Sequence, residues 1–225
     1  MRVSFLIPAY NEEATIAEVL ERIADLGLDA QVVVVDDGSD DGTAAVLTQL
    51  RDSTVRVVAH PQNRGKGAAI RTGLESATGD LVLVQDADLE YDPEDWPRLL
   101  APILKGKARV VYGSRFTGER KNMLFLHWVG NRFLSLVTNV LYNTTLSDME
   151  TGYKAFRTDV LRSLDLRENR FGIEPEITAK ICKRRLRIYE LPISYYGRTF
   201  AEGKNITWRD GFRAIWVLLR VRFSR

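Results

Sequence analysis

Two aspartates stand two residues apart in QDADLEYD, Asp86 and Asp88, directly after the run Leu81–Gln85. Carboxylates that close repel one another unless a cation joins them. Mg2+ or Mn2+ takes oxygen ligands and often links one or two carboxylates to substrate phosphates. Glu90 follows two residues later and is placed to complete the set. The pattern reads as a metal–diphosphate site if other polar groups converge on it, and as turn and cap carboxylates if none do.

Three more clusters bear on that question. Asp36-Asp37-Gly38-Ser39 offers one carboxylate for a base N–H, while Asp, Ser and the glycines at 38 and 42 also suit a turn and a helix cap. Asn63-Arg64-Gly65-Lys66-Gly67 precedes a helical stretch. Its glycines let backbone approach a ligand, and a helix start favours an anion. The spacing is not that of a Walker loop or of G-x-G-x-x-G. Gly113-Ser114-Arg115 offers a guanidinium to a phosphate or to a structural ion pair.

The elements that must hold these clusters can be read from periodicity. Val3–Ile7, Gln31–Val35, Val55–Ala59, Leu81–Gln85, Arg109–Tyr112 and Leu186–Leu191 read as strands. Glu13–Leu26, Thr43–Leu50, Gly67–Ala77, His127–Tyr142 and Glu176–Arg185 read as helices. Val129, Phe133, Leu136, Val137 and Val140 share one face of the fourth helix. Phe116–Asn122 is polar and reads as a loop. Alternating strands and helices predict an α/β fold with a mostly parallel sheet. Ligands bind beyond the carboxyl ends of such strands, so the clusters, with Ala9-Tyr10-Asn11-Glu12 and His60–Gly67, should line one rim.

The chain has 225 residues, 45% of them hydrophobic and 28% charged, as expected for one globular domain. Acidic residues dominate from Met1 to Leu100, and Lys and Arg from Lys180 to Arg225. The acidic part suits a cation. The basic end suits phosphates or an anionic surface, or is a solvated face. The single cysteine, Cys182, excludes an intrachain disulfide and fits a core position in a reducing compartment. No signal peptide or membrane span is expected. The basic end carries no nucleic-acid-binding motif, and no such partner is expected.

The ordered set IPAYNEE, VVVDDGSDDGT, NRGKGAA, DADLEYDP, GSRF and SDMETGYKAF resembles the GT-A fold family 2 glycosyltransferases. Within them it resembles the dolichyl-phosphate mannose synthase and polyprenyl-phosphate glycosyltransferase group. The resemblance runs from Val3 to about Phe156 and more loosely to Lys204. It implies a GT-A domain over 1–205, and the remainder, 206–225, reads as a basic amphipathic helix. It implies inverting, metal-dependent transfer of a sugar from a UDP- or GDP-sugar to a polyprenyl or dolichyl phosphate. Pro8, Tyr10, Glu12 and Asp36 or Asp37 would then meet the nucleotide, with Gly65, Lys66 and Ala87 around the donor. Asp86, Asp88 and Glu90 would hold Mg2+ or Mn2+. Arg115 would face the acceptor phosphate, with Asn131, Arg132 and Ser135 as further candidates. Arg198 and Lys204 would close over the diphosphate. Asp148 would assist catalysis, or would only fix the turn in SDMETGY.

In the tail, Trp208, Phe212, Ile215, Trp216, Leu219 and Phe223 recur at helical spacing among arginines. That suits a peripheral membrane helix on a cytoplasmic enzyme, or a terminal helix packed on the core. A soluble phosphorylated or glycan acceptor remains a second reading, and a non-catalytic nucleotide-sugar binder a third.

Overall fold

The computed structural model describes residues 1–50, 54–121, 123–197 and 208–224. The elements run β1 (Val3–Ala9), α1 (Ile16–Asp25), β2 (Ala30–Asp36), α2 (Thr43–Gln49), β3 (Val55–Ala59), α3 (Lys66–Ser76) and β4 (Leu81–Val84). They continue with α4 (Trp96–Leu104), β5 (Val110–Ser114), α5 (Phe125–Tyr142), β6 (Lys154–Arg157), α6 (Thr158–Ser163), α7 (Ile173–Lys183), β7 (Tyr189–Pro192) and α8 (Trp208–Phe223). The strands form one sheet in the order β3-β2-β1-β4-β6-β5-β7. β1 pairs in parallel with β2 and β4, and β5 with β7. β6 alone runs antiparallel, between β4 and β5.

β1, β2 and β4 are continuous apolar runs because helices cover both faces of the sheet. Phe5, Ile7, Val34 and Leu83 face one layer with α1 and α4. Leu6, Val33, Val82 and Val84 face the other with α3 and α7. The strands and helices read from periodicity are present, with ends shifted by a few residues. Three elements escape that reading. α4 contains Pro97 and Pro102, and Pro97 is tolerated because it lies in the first turn. α6 is too short to show a period. β6 interleaves Lys154 and Arg157 with Ala155 and Phe156, and its Lys154 is buried by pairing.

The apolar stripe of α5 points the unexpected way. Such a stripe ordinarily faces the core. Here Phe133 is 53%, Leu136 58% and Val140 75% exposed, while Ser135 and Thr138 are buried. Of that stripe only Val137 turns inward, and with Leu134 and Leu141 it meets Val217, Leu218 and Val221 of α8. The Tyr142 hydroxyl donates to the Leu218 carbonyl at 2.7 Å. α8 is thus packed on the body through one face. No helix of the described residues is long and apolar enough to cross a membrane.

This arrangement separates two leucines of similar sequence context. Leu136→Gln should change the unfolding free energy by about 0.5 kcal/mol or less. Leu218→Ala should cost about 2–5 kcal/mol, the range for a buried leucine truncation. Urea melts of the two variants against wild type check both values.

Candidate active site

β1 sends the chain to β2 on one side and lies beside β4 on the other, so the carboxyl ends of β1 and β4 flank a crevice where strand order reverses. The loop after β1 is laced to the loop after β2. Asn11, at φ +57°, donates from Nδ2 to Asp40 Oδ1 at 2.6 Å and accepts from the Asp40 N–H at 3.0 Å. The Glu12 N–H donates to Thr43 Oγ1 at 2.9 Å. Thr15 Oγ1 donates to the Ala87 carbonyl at 2.7 Å, tying the same loop to the Asp86–Asp88 turn. Pro8 is half-buried and Tyr10 is exposed at the crevice end.

Asp36 and Asp37 divide the work their sequence left open. Asp36 accepts from the Ser39 N–H at 3.0 Å. Asp37 is committed on both oxygens: Oδ1 to His60 Nδ1 at 2.6 Å and to the Arg64 N–H, Oδ2 to the Gly65 N–H at 2.6 Å. The glycines of NRGKG serve packing rather than ligand approach. Gly65 sits at φ +97°, and a Cβ there or on Gly67 would meet backbone oxygens of Asn169 and Glu168 at 2.5 and 2.3 Å. The close approach is to the protein's own chain.

Lys66 then reaches across the crevice. Its Nζ lies 2.6 Å from Asp86 Oδ1 and 3.3 Å from Glu174 Oε1. Burial opposes its charge, but Asp86 and Glu174 outweigh burial and hold it above the ordinary lysine value. The other Glu174 oxygen pairs with Lys154 Nζ, which also donates to the Thr151 and Met149 carbonyls. A chain of alternating charges thus runs from the half-buried Asp86 and Lys66 to the buried Glu174 and Lys154. Asp86 Oδ2 lies 2.3 Å from where a Cβ on Gly152 would stand, so only glycine fits beneath that carboxylate.

Behind the turn, Gln85 Oε1 accepts from Trp96 Nε1 at 2.8 Å and from the Tyr153 hydroxyl at 2.5 Å. Gln85 Nε2 donates to the Asp86 carbonyl at 2.9 Å. Tyr91 stacks on Tyr153 and its hydroxyl accepts from the Gly152 N–H. Glu90 belongs to this support, since it accepts from the Tyr195 hydroxyl at 2.8 Å and is nearly buried. Among the described residues no three acidic, His or Cys side chains group as a metal site. Asp86 and Asp88 still fit a cation that takes its remaining ligands from a diphosphate.

On the other side of the crevice Asp148 is fully buried and accepts from Arg115 three times: from its N–H at 3.0 Å, and from Nε and Nη2 at 2.7 Å. Arg115 Nη2 also donates to Asn131 Oδ1 at 3.1 Å. Ser135 Oγ accepts from the Met149 N–H, and the Glu190 carboxylate accepts from the Ser147 and Asp148 N–H groups. These contacts fix the turn. The guanidinium groups of Arg115, Arg120 and Arg132 lie 5.8, 6.0 and 5.5 Å from the centre of the Phe116 ring. Arg115 is neutralised by Asp148. Arg120 and Arg132 have no carboxylate partner among the described residues, and Arg132 is exposed. Arg198 and Lys204 lie outside the described residues.

The family model described as "Glycosyl transferase family 2" matches residues 4–165. The chain belongs to the family 2 glycosyltransferases. It is 31% identical to the UDP-N-acetylglucosamine–dolichyl-phosphate N-acetylglucosaminyltransferase of Methanococcus voltae, over 99% of this chain and 97% of that one. It is 32% identical to the undecaprenyl-phosphate mannosyltransferase of Micrococcus luteus, with 100% of both chains covered. Among solved structures it shares its fold with glucosyl-3-phosphoglycerate synthase of Mycobacterium tuberculosis, in complex with Mn2+, UDP and glucosyl-3-phosphoglycerate. The TM-score is 0.76, at 23% identity, covering 98% of this chain and 79% of that one.

Several side chains of this candidate site were not visible from the sequence: Arg120, Glu150, Lys154, Glu174 and Glu190. Glu174 precedes the expected helix start at 176, yet α7 begins at Ile173 because Pro175 is accommodated in its first turn. Glu150 has a buried Oε1 with no hydrogen-bond partner. Burial pushes its carboxyl up to about 7, against the pull of Lys154 and Arg115 and with the help of Glu174 and Asp148. The folded chain therefore keeps a proton that the unfolded chain loses above its ordinary value of 4.5. Stability contributed at acid pH is lost as pH rises from that value through about 7. Glu150→Gln should match wild type near pH 4.5 and exceed it at pH 8 by roughly 1–3 kcal/mol, read from thermal melts at the two pH values.

Proposed function

We propose that this family 2 glycosyltransferase moves a sugar from a UDP- or GDP-sugar to a polyprenyl or dolichyl phosphate, with inversion and with Mg2+ or Mn2+. The single observation that carries the proposal is the pairing of two half-sites across one crevice. Asp86 and Asp88 stand at the end of β4 with Lys66 against them. Opposite them Arg115, Arg120 and Arg132 surround Phe116 beside the buried Asp148. One half suits a metal-bound diphosphate and the other a phosphate nucleophile.

Asp86 and Asp88 would hold the cation, which when bound stabilises negative charge on a departing diphosphate. The fold neighbour's complex with Mn2+ and UDP supports that choice. Pro8, Tyr10 and Glu12 line the nucleotide end. Asp37 is spent on the NRGKG loop, which leaves Asp36 for the base. Ala87 lies in the donor turn, Gly65 packs against Asn169 rather than against the donor, and Lys66 is close enough to Asp86 to turn toward a donor phosphate. Arg198 and Lys204 would cover it. Glu90 supports the turn through Tyr195 rather than adding a ligand.

The reaction breaks the bond from the anomeric carbon to the diphosphate oxygen and forms one to an acceptor phosphate oxygen. The electron pair leaves with the nucleoside diphosphate. A phosphate monoester with its second pKa about 6 is already ionised near neutral pH and needs no base. Asp148, buried and bonded to Arg115 at every turn, then acts as a positioning residue. Asn131 and Ser135 brace the same turn, while Arg132 and Arg120 are left to bind the acceptor phosphate. The relatives named for dolichyl and undecaprenyl phosphate support a lipid acceptor. A soluble phosphorylated acceptor is favoured by one observation, the neighbour's complex with glucosyl-3-phosphoglycerate.

Transfer should be assayed in detergent with a panel of UDP- and GDP-sugars, each with polyprenyl phosphate or 3-phosphoglycerate, with metal or chelator. Metal-dependent glycolipid formation is expected, and Asp88→Ala should lower it about a hundredfold or more. Product only on the soluble acceptor would replace the lipid reading, and no turnover with any pair would leave a binding protein. Arg132→Ala and Arg120→Ala should each raise the acceptor KM about tenfold, the loss of one charge-assisted hydrogen bond, with the donor KM unchanged. An unchanged acceptor KM in both variants would remove the arginines from the acceptor site.

A further inference from the structure

α5 is 18 residues long and contains no acidic residue and one formal positive charge, Arg132. Its outward stripe, Phe125, Val129, Phe133, Leu136 and Val140, is 40–75% exposed. A contiguous exposed apolar strip of this kind marks an interaction surface. Its surroundings are cationic. Arg120 and the exposed Lys121 precede the helix, and Arg222 of α8 lies over the Tyr142 ring at its far end. α8 adds exposed Trp216 and Phe223; Arg213 and Arg220 stack on Trp216 at 4.5 and 4.7 Å but are ion-paired with the buried Glu168, so the cations left for an anionic surface are Arg120, Lys121, Arg132 and Arg222. The helix does not qualify as a membrane span. An exposed apolar face flanked by arginines and aromatic rings complements the acyl boundary and anionic headgroups of a bilayer.

We propose that the outward face of α5 docks on an anionic membrane surface and holds the mouth of the acceptor pocket at headgroup depth. The docking rests on exposure and charge, and its link to the acceptor rests on the proposed function. Geometry supplies the link. Arg132 and Asn131 share the helix with Val129 and Phe133. Arg132 lies over Phe116, and Asn131 is bonded to Arg115. A phosphate at the headgroup layer would meet Arg132 before it reached the interior of the crevice.

The full chain should be floated with phosphatidylcholine vesicles, with and without phosphatidylglycerol, in the absence of donor and acceptor. Wild type should float with the anionic vesicles and be released by high salt. The double variant Phe133→Ser and Leu136→Ser should lose partitioning about tenfold or more, while Leu104→Ser, an exposed leucine ending α4, should not. The double variant should keep the wild-type melting temperature and its transfer to a short-chain, water-soluble polyprenyl phosphate. Absence of wild-type flotation, or equal flotation of the double variant, would overturn the proposal. So would a lipid-free wild-type dimer that the double variant converts to monomer, since the stripe would then join two copies of the chain. Retained flotation without transfer to any acceptor would sink the enzymatic reading and leave the docking surface standing.

Discussion

The Asp86 carboxylate must be compensated, and much of the crevice is organised around how that is done. It stands at the end of a buried strand, over a glycine that leaves it no room to retreat. Lys66 supplies the opposite charge at 2.6 Å, but a half-buried ammonium with a single carboxylate would be only partly compensated. Glu174 shares it, and Lys154 in turn satisfies Glu174. Each member therefore fixes a different element: β4, the start of α3, the start of α7 and the start of β6. Removing one would leave its neighbour buried and unpaired, which is why the four positions behave as a unit rather than as separate contacts.

The acceptor side solves the same problem differently. Arg115 and Asp148 form a closed pair with matched geometry, and Asn131 takes a further guanidinium hydrogen bond. Their charges cancel, so they lend rigidity and little field. The net positive potential comes from Arg120 and Arg132, held against the Phe116 ring rather than against carboxylates. An aromatic partner orients a guanidinium without neutralising it. The division between an arginine paired with a carboxylate and those set against the ring separates the residue that builds the wall from those whose charge is left for an anion.

Much of this was legible in the sequence, because a parallel sheet places its ligand groups in the residues that leave each strand. Ala9–Glu12, Asp36-Asp37, His60–Gly67, Asp86–Asp88 and Gly113–Arg115 are legible that way, and the structure puts them on one rim. The rule fails at β6. That strand runs backward between β4 and β5, so the residues entering it face the crevice. Glu150 and Lys154 are reached only by knowing its direction, which pairing decides and periodicity does not. The stripe of α5 misleads for a related reason. Spacing reveals that one face is apolar, but only tertiary packing reveals whether that face is covered.

The reversed strand has a further consequence for how such a chain can vary. β5 and β6 are antiparallel neighbours, so everything between Ser114 and Lys154, α5 included, is formally the loop of one hairpin. Its two ends are pinned side by side in the sheet by Val110–Phe156 through Tyr112–Lys154 pairing, whatever lies between them. The entropy of closing such a loop rises only slowly with its length. The outer part of the excursion, away from Gly152 and Tyr153 beneath the Asp86 turn, can therefore be lengthened, shortened or exchanged while the strands bearing the carboxylates keep their places. Seen this way, the fold is a fixed half that grips one reactant, with an interchangeable cassette for the other.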